Sequence, residues 1–282
     1  MRFKKIYIEL SDLCGLACDF CPSKKAVRGI LSPENFEKIA QQVADKGELF
    51  TLHILGDPLI LKNLEDYLIL AKKYQMRLEI TTSGLYLGDK NQALLLKFDN
   101  IHQINLSLIA RPKKQSLRSY FGPILELCKE HSKRKLSSFI NLRLWNLNPL
   151  PPPENEAIYS FLRENFKPEL DATKRKNRLA RHIILHQAPS FEWPSLAGPI
   201  ISTQGACHAL KQQIGILSDG TLVPCCFDAG GAINLGNALE SPLASLLNSP
   251  RFLRLKEGFA KNQRLEALCQ RCTLHKTKIL AK

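Results

Sequence analysis

No stretch of this 282-residue chain is apolar for long enough to span a bilayer. The basic N-terminus, Met1-Arg2-Phe3-Lys4-Lys5, lacks the apolar segment of an export signal, because Glu9, Ser11 and Asp12 interrupt it. No internal repeat recurs. These absences exclude a bundle of membrane helices and a repeat array, and they lead to the expectation of a cytoplasmic protein with no membrane partner. Nine cysteines without an export signal then point to metal ligation in a reducing compartment rather than to a disulfide framework.

Hydrophobic residues make up 44% of the chain, enough for one large core and a smaller module. The formal charge is +14 and the pI about 9.4, a balance that attracts nucleic acid, anionic lipid or acidic substrates. The excess is spread along the chain. Its densest run, Lys174-Arg-Lys-Asn-Arg-Leu-Ala-Arg181, reads as a solvated face of a helix or loop, with a substrate-binding or RNA-binding patch as the alternative.

Three cysteines dominate the N-terminal region. Cys14, Cys18 and Cys21 follow the spacing C-x3-C-x2-C, with Phe20 before the last. Three thiolates on one loop hold three irons of a four-iron cluster and leave the fourth open to a small molecule. Structural zinc closes with four ligands, and no fourth Cys or His lies near this loop.

On these residues the chain resembles the radical S-adenosylmethionine (SAM) superfamily. The resemblance implies a 4Fe–4S cluster on Cys14, Cys18 and Cys21. Its open iron would bind the amino and carboxylate groups of SAM, and the reduced cluster would cleave SAM to a 5′-deoxyadenosyl radical.

Segment periodicity fits that family. Strands are expected at Phe3–Leu10, Thr51–Leu55, Arg77–Thr82, Ile101–Leu108, Phe139–Leu147 and His182–His186. Helices are expected from Ser32-Pro33-Glu34 to about Lys46, over Leu64–Tyr74 and Asn91–Phe98, within Ser116–Lys135, and from Glu154 to Asn165. The alternation predicts right-handed βαβ units. The fold expected is α/β: a partial (β/α)6 TIM-like barrel over residues 1–200 and a small cysteine-rich α+β module over 201–282.

Functional groups in such barrels collect at the C-terminal strand ends. After strand two comes Leu55-Gly56-Asp57-Pro58, where radical SAM enzymes carry Gly-Gly-Glu-Pro; the resemblance implies that Gly56, Asp57 and Pro58 meet SAM. Thr82 and Ser83 follow strand three and resemble the family's Thr-Asn-Gly run. Alternation places Asn105 and Ser107 on one face of strand four, and Asn141 and Arg143 on one face of strand five. These polar groups suit the carboxylate or ribose of SAM, with Arg143 as a bidentate carboxylate partner.

The remaining cysteines are Cys128, expected to pack inside a helix, and the set Cys207, Cys225, Cys226, Cys269 and Cys272. A hairpin over Ile214–Val223, turning at Asp219-Gly220, leads directly into Pro224-Cys225-Cys226. A helix is expected from about Ser241. This region resembles the SPASM and twitch modules of radical SAM enzymes. The resemblance implies a second, auxiliary 4Fe–4S cluster on Cys207, Cys225, Cys269 and Cys272, with four-thiolate zinc as the alternative.

The implied function is a radical SAM enzyme that abstracts hydrogen from a substrate the sequence does not identify, peptides and proteins being the class that enzymes with such modules often modify, with a reductant such as flavodoxin or ferredoxin as partner. The alternatives are an RNA-modifying radical SAM enzyme, motivated by the charge, and a non-enzymatic zinc or iron–sulfur nucleic-acid binding protein.

Overall fold

The computed structural model describes residues 1–22, 28–112, 114–148, 150–166 and 169–274. In chain order the elements are β1 (Lys5–Ile8), α1 (Pro33–Val43), β2 (Phe50–Thr51), α2 (Leu64–Lys73), β3 (Leu78–Thr82), α3 (Asp89–Lys97), β4 (Ile101–Ser107), α4 (Leu117–Lys133) and β5 (Phe139–Leu147). There follow α5 (Glu154–Phe166), β6 (Lys176–Ala180), β7 (Ile183–Pro189), β8 (Gln213–Ile216), β9 (Leu222–Val223), α6 (Leu243–Leu247), α7 (Pro250–Ala260) and α8 (Ala267–Gln270). Among the described residues no helix is long and apolar enough to cross a membrane.

The chain forms two units. The first comprises Met1–Pro58, Asn63–Leu78 and Glu192–Lys282; the second comprises Leu59–Lys62 and Glu79–Phe191.

In the first unit the strand order is β2-β1-β8-β9. β1 runs parallel to both β2 and β8, and β9 returns antiparallel to β8. The cysteine-rich C-terminal hairpin therefore extends the same sheet as the first strand. Ile6, Ile8, Ile214 and Ile216 are fully buried between these strands and the helices. Ser32 caps α1 through its hydroxyl, which accepts from Asn35 N at 3.2 Å, and Phe36, Ile39, Ala40 and Val43 line its buried face. Gln42 on that helix bonds Ala238 O and Leu243 N, so the C-terminal segment is tied to α1.

β2 is shorter than expected, ending at Thr51. The reason is local: Thr51 Oγ1 donates to His53 O, and Leu55 N donates to the Glu9 carboxylate at 3.0 Å instead of to a strand partner.

In the second unit the order is β3-β4-β5-β7-β6. β4, β5 and β7 are parallel, and β6 is antiparallel at the edge. Period-two alternation sorts the residues cleanly. Ile104, Leu106, Ile140, Leu142, Leu144, Ile183 and Leu185 are buried on one face. Glu79, Thr81, Gln103, Asn105, Ser107, Asn141, Arg143 and His186 occupy the other. The basic run 174–181 is mostly the edge strand β6 rather than a loop or helix. Its burial alternates, with Lys176 and Arg178 exposed and Asn177 and Leu179 buried, and charged side chains suit an edge.

Candidate functional site

Cys14, Cys18 and Cys21 sit on the long loop after β1, and each is half-buried. The loop is closed at its base by side chains. The Asp12 carboxylate accepts from the backbone N–H groups of Arg28 and Gly29, both at 2.9 Å, and Leu31 N returns to Leu10 O at 2.9 Å. Glu9, fully buried, receives Arg28 in a bidentate pair, with Nε to Oε2 at 2.9 Å and Nη2 to Oε1 at 3.0 Å. The same carboxylate accepts from Leu55 N at 3.0 Å and from Ser218 N at 3.1 Å. One side chain thus joins the cysteine loop, the segment after β2 and the C-terminal hairpin.

Gly56 is forced by this arrangement. Its φ is +71°, and a Cβ there would lie 2.2 Å from Ser11 O and 2.7 Å from Leu13 O. Asp57 follows, buried, and its N–H donates to Leu13 O at 2.8 Å. The Gly56-Asp57-Pro58 turn is therefore packed on the backbone of the cysteine loop. Burial first, and then charge repulsion from Asp57, Cys18 and Cys21, push the Cys14 thiol up to about 11. Three thiols and a carboxylate in mutual electrostatic range are a donor set that fits a cationic metal cluster, which would release their protons on binding.

In the second unit the polar strand residues form a ladder. Gln103 Nε2 donates to Asn105 Oδ1 at 2.8 Å and to Glu79 Oε2 at 3.3 Å. Asn105, fully buried, donates to Thr81 Oγ1 at 3.1 Å and accepts from Asn141 Nδ2 at 3.2 Å. Arg143 pairs with Glu79 at 3.5 Å and lies over the ring of Trp145, 4.5 Å from its centroid. The structure therefore brings Asn105, Asn141 and Arg143 into one network. Ser107 lies beside Arg143 by strand register. Thr82 and Ser83 are buried and serve their own turn: Thr82 Oγ1 accepts from Gly84 N and Ser83 Oγ from Leu85 N. Ser83 O also accepts from the Tyr120 hydroxyl.

The C-terminal cysteines gather around a cavity of about 230 Å³. Cys207, Cys225, Cys269 and Cys272 line it, with His208, Phe227 and Asp228. Cys226 is not among the lining residues; it packs beside Tyr7 and Trp193 on the cluster Ile54, Leu55, Leu217, Val223 and Ala229. Burial drives the Cys225 thiol well above its usual range, and Cys226, Cys207 and Cys269 add to the shift. Cys269 rises to about 12, again by burial first and then by Cys207 and Cys272. Among the described residues no three Cys, His, Asp or Glu side chains converge on a single-ion site. Four thiols lining one cavity are a donor set that fits an iron–sulfur cluster, with four-thiolate zinc as the alternative.

Sequence patterns missed several supporting residues. Arg264 is buried and its Nη1 donates to the carbonyls of both Cys269 and Cys272 at 3.0 Å. A Cβ at Gly205 would fall 2.6 Å from its Nε, so glycine is required beside it. Glu9 figured in the sequence only as one of the polar residues that interrupt an apolar run, with no sign of its partners. Cys128 is buried in α4, its thiol pushed up to about 12 by burial alone.

Comparison with known proteins names the class that these centres define. A Radical SAM superfamily model matches residues 8–140, and a SPASM iron-sulfur cluster-binding domain model matches residues 207–273. The chain belongs to the radical SAM superfamily and carries a C-terminal SPASM iron–sulfur domain. It has the partial-barrel fold of that superfamily, and the two matched regions correspond to the superfamily's SAM and 4Fe–4S domain and to its auxiliary iron–sulfur domain.

The S-adenosyl-L-methionine-dependent 2-deoxy-scyllo-inosamine dehydrogenase of Niallia circulans is 28% identical over 95 residues, 31% of this chain and 38% of that protein. The stretches matched in the curated relatives cover well under half of their lengths. BtrN in complex with AdoMet and 2-DOIA superposes with a TM-score of 0.63 at 17% identity, covering 97% of this chain and 94% of the other. Streptococcus suis SuiB bound to precursor peptide SuiA gives 0.62 at 18% identity, covering 96% and 71%.

Proposed function

We propose that this protein cleaves SAM reductively and uses the product to abstract hydrogen from a peptide or protein substrate, with electrons from a flavodoxin or ferredoxin in the cytoplasm. Residues 1–200 form the catalytic barrel in this reading and residues 201–282 the auxiliary module. The observation that carries it is the three-cysteine loop stapled by Glu9 and Asp12, with Gly56-Asp57 packed on its backbone.

Cys14, Cys18 and Cys21 would hold the reactive 4Fe–4S cluster, which when reduced supplies the electron that breaks a carbon–sulfur bond of SAM and yields the 5′-deoxyadenosyl radical. The protein's own residues bind and orient. The Gly56-Asp57-Pro58 turn offers carbonyls and a carboxylate to the SAM ammonium. Asn105, Asn141 and Ser107 present amide and hydroxyl groups to the ribose, and Arg143 presents a guanidinium to the methionine carboxylate. Thr82 and Ser83 contribute through the backbone of their turn, since their hydroxyls already accept within it. Cys207, Cys225, Cys269 and Cys272 would hold one auxiliary 4Fe–4S cluster.

A peptide substrate is favoured by the likeness in fold to SuiB, whose structure holds a precursor peptide. The test is anaerobic reconstitution followed by SAM and a strong reductant. The parent should form 5′-deoxyadenosine and the Cys14→Ala, Cys18→Ala and Cys21→Ala variants should not. Unchanged cleavage in those variants would move the chemistry elsewhere.

A further inference from the structure

We propose that His186 and Lys176, the end of the row Ser107–Arg143–His186–Lys176 that lies beyond the SAM-assigned residues, form with the indole N–H of Trp145 a binding site for a carboxylate of an acidic peptide substrate. The inference rests on the proposed function and deepens it by naming the substrate class.

The row is set by strand register. Ser107 pairs with Arg143 across β4 and β5, Arg143 with His186 across β5 and β7, and His186 with Lys176 across β7 and β6. Partnered residues share a face, so these four side chains stand side by side in the later part of the parallel strands, where barrel enzymes gather their functional groups. Each of the four can donate a hydrogen bond. The charges acting on His186 come from Arg143, Lys176 and Arg175, and all are positive.

Trp145 supplies the second, independent observation. Its Nε1 is buried and has no hydrogen-bond partner. A buried donor left unpaired costs about 1–3 kcal/mol, so its retention points to an acceptor that arrives with a ligand. Its ring meets His186 edge-on at 5.8 Å and Arg143 lies above it at 4.5 Å, so it belongs to the same row. The register of β5 against β7 shifts between Leu144 and Leu147, and Trp145 sits within that irregularity. Next to it, Asn146 and Asn155 exchange amide hydrogen bonds at 2.9 and 3.0 Å, which pins the irregular segment to α5. Such irregularities re-aim side chains near functional sites. A cluster of donors with one orphan and surrounding positive charge calls for an anion bearing several acceptor oxygens.

A peptide carboxylate fits better than RNA. The row is short, and Glu79, which pairs with Arg143, puts a negative charge on the same face. RNA binding needs a longer track of cations that neutralises several phosphates. SAM also carries a carboxylate, and Arg143 is assigned to it above; the row beyond Arg143 is left for the substrate.

The experiment uses the reconstituted full chain with SAM and a random heptapeptide mixture. Peptides that co-elute with the protein are sequenced by mass spectrometry. Asp and Glu should be enriched about tenfold over Asn and Gln, as for one charge-assisted hydrogen bond or more. Lys176→Gln and His186→Gln should abolish that enrichment, while Lys133→Gln, an exposed change on α4, should keep it. The affinity for SAM should be unchanged in Lys176→Gln. No acidic enrichment, or enrichment that survives both row variants, overturns the proposal. So does a matching loss of SAM affinity in Lys176→Gln, which would give the row to the SAM carboxylate. So does an oligouridylate that binds better than the acidic peptides and depends on Lys176. Formation of 5′-deoxyadenosine by the parent, measured on the same samples, separates failure of this site from failure of the enzyme reading.

Discussion

Glu9 Oε2 lies 2.8 Å from Arg28 Nη2, and the carboxylate that anchors this pair is completely buried. It also accepts the backbone N–H groups of Leu55 and Ser218, from segments 46 and 209 residues away in sequence. Burial raises the Glu9 carboxyl above its ordinary range, against the opposing pull of Arg28 and the two N–H groups. Such a group contributes to order only while all its partners remain in place.

Glu9→Gln should therefore destabilise the protein by about 3 kcal/mol, because it leaves the Arg28 cation poorly compensated. It should also lower iron retention at the N-terminal cysteines, since Arg28 closes their loop. Urea midpoints and iron per chain measure the two effects. A loss under about 1 kcal/mol would show that the pair is no more than a surface contact.

Two glycines should respond with opposite signs. Gly56→Ala places a methyl against Ser11 O and Leu13 O at positive φ, and should cost at least about 1–3 kcal/mol while displacing the cysteine loop. Gly122→Ala lies in α4 with nothing within 4 Å of the added Cβ, and should gain up to about 1 kcal/mol. Thermal and urea unfolding of both variants would test the contrast; a neutral Gly56→Ala would refute the close approach.

Much of this was legible in the chain because the signals are local. The C-x3-C-x2-C spacing marks the first site by itself, and strand β5 falls at Phe139–Leu147 as its alternation predicts. The capping hydroxyl of Ser32 likewise sits at the start of α1. Glu9, Arg28 and Arg264 were not legible, because their roles depend on partners far away in sequence. The strand nature of Lys174–Arg181 was masked by charge: its buried partners Asn177 and Leu179 alternate with cations that an edge strand can leave in water. The parallel pairing of β8 with β1 was hidden for the same reason, since no local pattern reports which strand a hairpin will join.

Arg143→Ala should weaken SAM binding by about 1.5–3 kcal/mol, the worth of a hydrogen bond to a charged group. Calorimetric titration of the reconstituted protein reads this directly. Arg143→Lys should recover only part of the loss, because an ammonium lacks the two-pronged geometry. Equal affinity in parent and Arg143→Ala would confine the residue to its contacts with Glu79 and Trp145.

His186 should impose a pH dependence on stability. Burial first, and then Arg143, Lys176 and Arg175, hold its imidazole down at about 4, against an ordinary 6.5. The unfolded chain therefore binds a proton between these values while the folded chain does not, and stability falls as pH drops through that window. The contribution is complete above about 6.5 and is lost progressively toward about 4. His186→Gln should flatten this part of the curve, as read from urea midpoints at pH 7 and pH 5. An identical slope in the variant would mean that the imidazole titrates normally in the folded protein.

The adjacent cysteines 225 and 226 provide the sharpest separation. Successive side chains on an extended segment point to opposite sides, so one residue of the pair can reach a cluster corner while its neighbour turns away. Cys225 lines the cavity shared with Cys207, Cys269 and Cys272. Cys226 lies with Tyr7 and Trp193 against Leu217 and Val223, and burial pushes its thiol up to about 11. Cys225→Ala should lose the auxiliary cluster, removing roughly four irons per chain. Cys226→Ala should keep it and lose only packing, about 1 kcal/mol for a small buried side chain. SAM cleavage should persist in both, because Cys14, Cys18 and Cys21 are unchanged, whereas substrate turnover should fall in Cys225→Ala alone. Iron and sulfide per chain, with paramagnetic resonance of the reduced proteins, distinguish the variants. If Cys226→Ala loses iron and Cys225→Ala retains it, the ligand is the other member of the pair and the cavity is not the cluster's seat.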